Sequence, residues 1–422
     1  MIIKNCRYLD WRSFAITEGN LLVEEGPDGG ISFTDKCESG VLDAAGRLVT
    51  RSFACGHHHI YSALALGMRV NGIDTSNFYN ILSTLWWRLD SCLDPEMIES
   101  SAEVTALALL KNGVTNVIDH HSSPSHIGGS LECIARALDR AGLRHVLCYE
   151  ISGRDGEKAA RQGLEESEDY LDSGRQALVG LHASFTVGDA LMKKAADLCE
   201  KYESGVHIHV AEDKYDQEHC RETYGKRAVE RLDEFGFLDM PKSILAHCLH
   251  LSDNERKILK NSKAWIVQNP DSNLNNNVGF FNGEGLGERV MYGTDGMHSN
   301  MLASAKSGYF SGTAGEAPSL QTVYDRFRAA DEYLKTAGFA AGGANNLAII
   351  DYSPPTPLTA ENFLSHFIYG VSSACVYATI AGGKLLYCGG RYPGLNEEDI
   401  LKRSGEQAER LWKKMRKTGA HQ

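Results

Sequence analysis

Two rhythms of apolar and polar residues divide the chain. Residues 1 to about 50 alternate short apolar runs with turns such as Pro27-Asp28-Gly29-Gly30 and Ala45-Gly46, the pattern of short antiparallel strands. From about 51 the rhythm becomes apolar strand, polar loop and amphipathic helix, repeated. Strands are predicted at 52–55, 114–118, 145–149, 177–181, 205–209, 243–246, 264–268 and 290–293. Helices are predicted between them, among them 99–112, 130–141, 189–202 and 255–261, with 322–334 closing the series. Eight strands separated by helices over roughly 250 residues predict an α/β chain built on a (β/α)8 TIM barrel. A doubly wound sheet is the competing arrangement, but no glycine-rich phosphate turn follows the first strand. Strand-like text returns at 347–352 and 378–386. Strands at both chain ends are most economically one composite β-sandwich domain, 1–50 with 341–395, and the barrel 51–340 is inserted between its halves. The remainder, 396–422, carries an amphipathic helix, about 397 to 415, with Leu401, Leu411 and Trp412 on a face that needs a cover.

Composition narrows the class. At 422 residues, 42% hydrophobic and 23% charged, the chain suits one large enzyme fold with a satellite. A net charge of −12 argues against a nucleic-acid partner, whose phosphates call for a basic face. No apolar run approaches the roughly 20 residues that span a bilayer, and Met1-Ile2-Ile3-Lys4-Asn5 lacks the features of a signal peptide. No membrane association and a cytoplasmic location are therefore expected. Eleven cysteines without a CxxC pair read as reduced thiols.

The stretch Val206-His207-Ile208-His209-Val210-Ala211-Glu212 changes the picture. Residues two apart share a face of a strand, so His207 and His209 point the same way and Glu212 follows on the loop beyond. Imidazole beside a carboxylate at a strand end suits a catalytic metal and its proton-transfer base. The bland alternative is a strand with two satisfied histidines. Other strand ends tip the balance, because reactive groups of a TIM barrel stand at the carboxyl ends of its strands. The first strand delivers His57-His58-His59, whose outer pair can chelate one ion while His58 faces away. The fifth delivers His209, the sixth His247, and the eighth Asp295 in Gly293-Thr294-Asp295-Gly296. His57, His59, His209 and Asp295 would hold one borderline divalent ion, Zn²⁺ or Fe²⁺, with a position left for water.

On these and further motifs the chain resembles the amidohydrolase superfamily, nearly end to end. The motifs are His57-His58-His59-Ile60-Tyr61-Ser62, Leu85-Trp86-Trp87-Arg88-Leu89-Asp90, Ile118-Asp119-His120-His121, Leu181-His182-Ala183-Ser184-Phe185-Thr186, His207-Ile208-His209-Val210-Ala211-Glu212, Ala246-His247-Cys248, Gly293-Thr294-Asp295, and Asp351-Tyr352 through Pro357-Leu358-Thr359. Within the superfamily it is similar to the ATZ/TRZ-type aminohydrolases, which deaminate or dechlorinate N-heterocycles, and among them to the SsnA-like group. The resemblance implies His57, His59, His209 and Asp295 as ligands of a single metal, zinc first and iron second. It implies Glu212 as proton shuttle and His247 as the imidazole that polarises the attacked bond. The fourth strand ends in His182 rather than a lysine that carbamylation could turn into a bridge between two ions, which favours a mononuclear centre.

The chemistry then follows from charge. A metal lowers the pKa of water from about 15.7 towards 7. Glu212 takes the proton as hydroxide attacks an sp² carbon, then hands it to the leaving nitrogen, with Asp295 assisting. His247 and the metal stabilise the tetrahedral intermediate. Candidate substrate contacts at the same rim are His120, His121, Glu150, His182 and His298, with Trp86, Trp87 and Arg88 as a lid and Trp87 able to stack on a ring. Asn269, Asn273 and the run Asn275-Asn276-Asn277 are read as turn residues, with the reading of substrate amide edges as the alternative.

Three departures mark the match. Arg51-Ser52 stands where relatives have Pro-Gly, Asn345-Asn346-Leu347 where they have Ala-Asp-Leu, and the segment 309–343 is shortened. The reading is a metal-dependent hydrolase that releases ammonia from a purine- or pyrimidine-like N-heterocycle, a small-molecule substrate. Ring-opening hydrolysis of a cyclic amide or amidine shares the same attack. An inactive scaffold subunit of a larger complex is the reading from another class, and it needs neither Glu212 nor His247. The resemblance also implies a homodimer or larger homo-oligomer.

Overall fold

The computed structural model describes residues 1–36 and 41–418. The stretches 37–40 and 419–422, assigned above to the β-domain and the last helix, lie outside the described residues. Strands β1 (Ile2–Leu9), β2 (Ile16–Val23), β3 (Ile31–Phe33), β4 (Val41–Asp43) and β5 (Leu48–Arg51) come first. The barrel strands follow: β6 (Phe53–His58), β7 (Val114–His121), β8 (Arg144–Tyr149), β9 (Val179–Ala183), β10 (Val206–Val210), β11 (Ile244–His247), β12 (Trp265–Gln268) and β13 (Val290–Tyr292). β14 (Leu347–Ile350), β15 (Val376–Ala381) and β16 (Lys384–Cys388) come last.

β6, β7 and β8 pair in parallel, as do β9 through β13. Bridges Leu147–Ala177 and Ile151–Leu181 join the two arcs on one side and His58–Asp295 on the other, so the eight strands close into a ring. β7 and β10 are buried along their whole length, which is why they read as runs rather than alternations. The closing bridge brings Asp295 beside the strand that carries His57 and His59. Gly293 permits this approach, since a side chain there would strike Asn269 Oδ1 and His57.

The strands of both chain ends form one eight-stranded sheet. Its seam is β5 against β14, antiparallel, with Leu347 opposite Arg51 and Ile350 opposite Leu48. Two of the three departures from the family pattern, Arg51-Ser52 and Asn345-Asn346, sit at this seam, where Arg51 ties the sheet to the barrel and Asn345 ties the two chain ends together. Arg51 Nε donates to Asp331 Oδ1 at 3.0 Å, and the Ser52 N–H donates to Asn346 O at 3.0 Å. Asn345 Nδ2 donates to the carbonyls of Glu24 and Gly26, both at 2.8 Å.

The last helix, Glu397–Thr418, lies against the helix Pro95–Lys111 and the turn after β6. Leu411 and Met415 are fully buried and Trp412 Nε1 donates to Leu64 O at 2.7 Å. Leu401, expected on the covered face, is instead 49% exposed. Its neighbour Ile400 is the buried residue of the first turn, so the covered face runs through Ile400, Leu411 and Met415 and leaves Leu401 beside it. No helix among the described residues is long and apolar enough to cross a membrane.

Candidate metal centre and cleft

His57, His59, His209 and Asp295 converge at the carboxyl rim of the barrel. His59 Nε2 lies 3.1 Å from Asp295 Oδ1 and 3.1 Å from His209 Nε2, and His57 Nε2 lies 3.6 Å from Asp295 Oδ1. Backbone carbonyls set the tautomers: His59 Nδ1 donates to His120 O at 2.7 Å and His209 Nδ1 to His182 O at 2.8 Å. In the neutral rings both Nε2 lone pairs then face inward. His57 Nε2 is buried without a hydrogen-bond partner. These three donor spacings lie near the about 3.3 Å edge of a tetrahedron with 2.0–2.1 Å arms, and His57, His59 and Asp295 form one mutually close group that His209 joins through His59. Such a cluster is short of positive charge. Burial opposes protonation of His59, yet the Asp295 carboxylate pulls its pKa up to about 9. Burial also opposes ionisation of Asp295, but the imidazoles of His57 and His59 beside it hold it well below the usual range. A divalent cation fits these residues.

The surrounding strands aim the ligands. His207, on the same face as His209, is fully buried one level down, its Nε2 2.8 Å from His57 Nδ1. His58 turns away, its Nε2 3.0 Å from Ser299 Oγ. Four non-glycine residues here take left-handed backbone angles: Ala211 (φ 49°), His247 (φ 72°), Cys248 (φ 52°) and Asp295 (φ 53°). Such angles are sparsely populated for these residues and concentrate at functional sites. They turn each chain sharply as it leaves the strand.

His247 Nδ1 is 2.8 Å from Asn273 Oδ1, which aims Nε2 at Glu212 Oε2 (3.5 Å) and Asp295 Oδ2 (3.6 Å). Asn269 Nδ2 lies 3.5 Å from the same Nε2, so two of the asparagines read as turn residues orient an imidazole. Burial keeps His247 neutral. Burial, with Asp295 second, pushes Glu212 well above the usual carboxylate range. Two neighbouring carboxyls are therefore driven apart, one to hold a proton and the other to stay ionised.

Above the cluster opens a cleft. Trp87, Glu150 and His182 line it, as expected of substrate contacts. His182 Nδ1 donates to Thr186 Oγ1 at 2.7 Å, which turns a bare Nε2 into the cleft. His120, His121 and His298 do not line it. His120 Nε2 is tied to the carbonyls of Leu181 and His207, His121 Nε2 lies 2.9 Å from Ser123 Oγ, and His298 Nε2 turns to Asp271 Oδ2 at 3.3 Å. Nor does Arg88 reach it. Its guanidinium donates to the carbonyls of Thr84 and Met415, both at 2.9 Å. Trp86 and Trp87 both line the cleft because Leu82–Trp86 is a π-helical turn, whose extra residue resets the helix faces.

Sequence reasoning missed Arg154. It lines the cleft over the Trp87 ring (5.2 Å), donating to Glu150 at 2.8 Å and Ser122 at 3.0 Å and pairing with Asp90. The opposite charges of Glu150 and Arg154, four residues apart after a strand end, were its only signal. Asn275 and Asn276, from the run read as turn residues, also line the cleft, as do Tyr61 and Ser62 of the first-strand motif and Met297, which nothing in the sequence sets apart from an ordinary loop residue.

A closed ring of parallel strands with a metal-binding cluster at its carboxyl rim defines the architecture. The amidohydrolase family model matches residues 48–386, and the chain belongs to that family. It is 28% identical over 418 residues to a 5-methylthioadenosine/S-adenosylhomocysteine deaminase of Pelotomaculum thermopropionicum, covering 93% of this chain and 92% of the relative. It is 25% identical to a 5'-deoxyadenosine deaminase of Methanococcus vannielii, covering 93% and 94%. Among solved structures it superposes on a zinc-bound adenosine deaminase from Xanthomonas campestris with a TM-score of 0.83 at 17% identity, covering 97% and 98%.

Proposed function

We propose that the protein is a mononuclear, zinc-dependent aminohydrolase that cleaves the C–N bond of an amino-substituted purine- or pyrimidine-like heterocycle. One observation carries the reading: Glu212, half-buried, stands 3.5 Å from His247 Nε2, and that Nε2 stands 3.6 Å from Asp295, beside a cluster of possible metal donors. The deaminases among its relatives support the same chemistry.

His57, His59, His209 and Asp295 would hold the ion. Three imidazoles and a carboxylate suit zinc, which the Xanthomonas structure contains. Bound there, it would supply the Lewis acidity that brings the pKa of water from about 15.7 towards 7. Glu212 takes a proton from the attacking water and returns it to the leaving nitrogen, which departs poorly unprotonated. His247, aimed by Asn273, polarises the bond under attack. Trp87 stacks on the ring, while Glu150 and His182 read its polar edge. All ten cysteines among the described residues are free thiols, in keeping with a cytoplasmic enzyme. The test is ammonia release from purines, pterins and cyclic amidines by metal-replete protein. Ammonia with an oxygenated product supports the reading. A product heavier by one water, without ammonia, would replace it with ring opening.

A further inference from the structure

The three imidazoles of the proposed ion site are not held alike. His59 and His209 direct Nδ1 at backbone carbonyls. A carbonyl only accepts, so each of these rings keeps a hydrogen on Nδ1 whatever stands at Nε2. His57 differs. Its Nδ1 faces another imidazole, His207 Nε2, at 2.8 Å, and a ring nitrogen can donate or accept. His207 Nδ1 in turn lies 3.6 Å from Cys148 Sγ, and that sulfur lies 3.5 Å from Asp119 O. His57, His207 and Cys148 are all fully buried, and burial keeps both rings neutral.

A neutral ring carries one N–H, so the chain has two orientations in which every link is made. In the first, His57 Nδ1 donates to His207 Nε2, His207 Nδ1 donates to the sulfur, and the thiol donates to Asp119 O. His57 Nε2 is then bare and able to bind a cation. In the second, the thiol donates to His207 Nδ1 and His207 Nε2 donates to His57 Nδ1. His57 Nε2 then carries the hydrogen, facing Asp295 Oδ1 at 3.6 Å. The Asp295 carboxylate favours the second orientation, and a cation at Nε2 demands the first. The group at the end of such a chain must both donate and accept, as a thiol does.

We propose that His207 is a positioning residue for the metal: the chain His57–His207–Cys148 reverses when the ion binds, and His207 sets metal affinity through the tautomer of His57. The inference rests on His57 being a ligand of the proposed centre. Charge and hydrogen count are equal in both orientations, with one N–H on each ring and one S–H. The hydrogen that leaves His57 Nε2 is regained at the sulfur by exchange with solvent.

The test follows the ring nitrogens of His207 by NMR in protein isotope-labelled at histidine nitrogen, first treated with chelator and then loaded with zinc. Signals are identified by their loss in His207→Gln. The expected result is that Nε2 passes from N–H to bare, and Nδ1 from bare to N–H, as zinc is added. Chelator competition then compares zinc affinities. His207→Leu, which offers His57 Nδ1 no acceptor, should weaken binding about 10–100-fold, the scale for groups that orient a ligand histidine. His207→Gln, whose amide oxygen reaches the place of Nε2, should bind nearly as the wild type does. Zinc bound with the His207 nitrogens unchanged would overturn the inference and leave the metal centre intact, as would equal losses in the two variants. The tautomer readout uses the wild-type chain, so it decides the matter even where His207→Leu fails to fold. Wild-type protein that binds no zinc would remove the proposed centre as well.

Discussion

Glu212 Oε2 stands 3.5 Å from His247 Nε2, and both face Asp295 across the rim of the barrel. A glutamate so placed carries a proton in both directions during the reaction. Glu212→Gln keeps the shape and loses the shuttle, so activity should fall about 10²–10⁴-fold. Metal analysis of the variant should show an unchanged content. Loss of metal together with activity would mean that Glu212 serves the ion rather than the proton.

The raised pKa of Glu212 has a kinetic sign. Below that pKa the carboxyl is already protonated and takes no proton from water, so the rate falls as pH drops. The acid limb of kcat/KM should therefore lie above the ordinary glutamate range, because burial and the Asp295 charge hold the proton on. A limb at pH 4 to 4.5, the unperturbed value, would contradict this.

Metal uptake should release a proton. In the metal-free cluster Asp295 raises His59 to about 9 despite burial, so this imidazole carries a charge at pH 7.5 that an incoming cation displaces. Calorimetry in buffers of different ionisation enthalpy should report about one proton released per ion bound. Removing the metal with a chelator should abolish turnover, and His209→Ala should prevent its recovery on adding zinc.

The last helix holds the roof of the cleft. Arg88 joins the π-helical turn to Met415 O, and Trp412 Nε1 bonds Leu64 O at 2.7 Å. Arg88→Met should raise KM about threefold to tenfold with a smaller change in kcat, since the loss of one or two hydrogen bonds of about 1 kcal/mol each loosens positioning without touching the reacting atoms. Trp412→Phe should act in the same direction, more weakly. A fall in kcat alone would exclude the positioning role.

The ligand set was legible because each member stands at a strand end whose period is local. His57 and His59 share a face by the two-residue repeat, and Gly293-Thr294-Asp295 ends an apolar run. His120, His121 and His298 carry the same local signature, yet they bind backbone, a serine and an aspartate. Arg88 and Arg154 carry the same charge at other rim positions, and one reaches the last helix while the other enters the cleft.

By itself the sequence determined the barrel, the strand ends and the identity of the groups that could bind a cation, because hydrophobic period and side-chain chemistry are properties of short stretches. Only the tertiary structure decided which rim histidines face the cleft and that Asn273 aims His247. It also decided that the Leu82–Trp86 π-helical turn brings both Trp86 and Trp87 to the cleft. Those outcomes depend on how loops from different strands close over one another, and on left-handed turns at Ala211, His247 and Asp295 that neighbouring elements impose and no local pattern encodes.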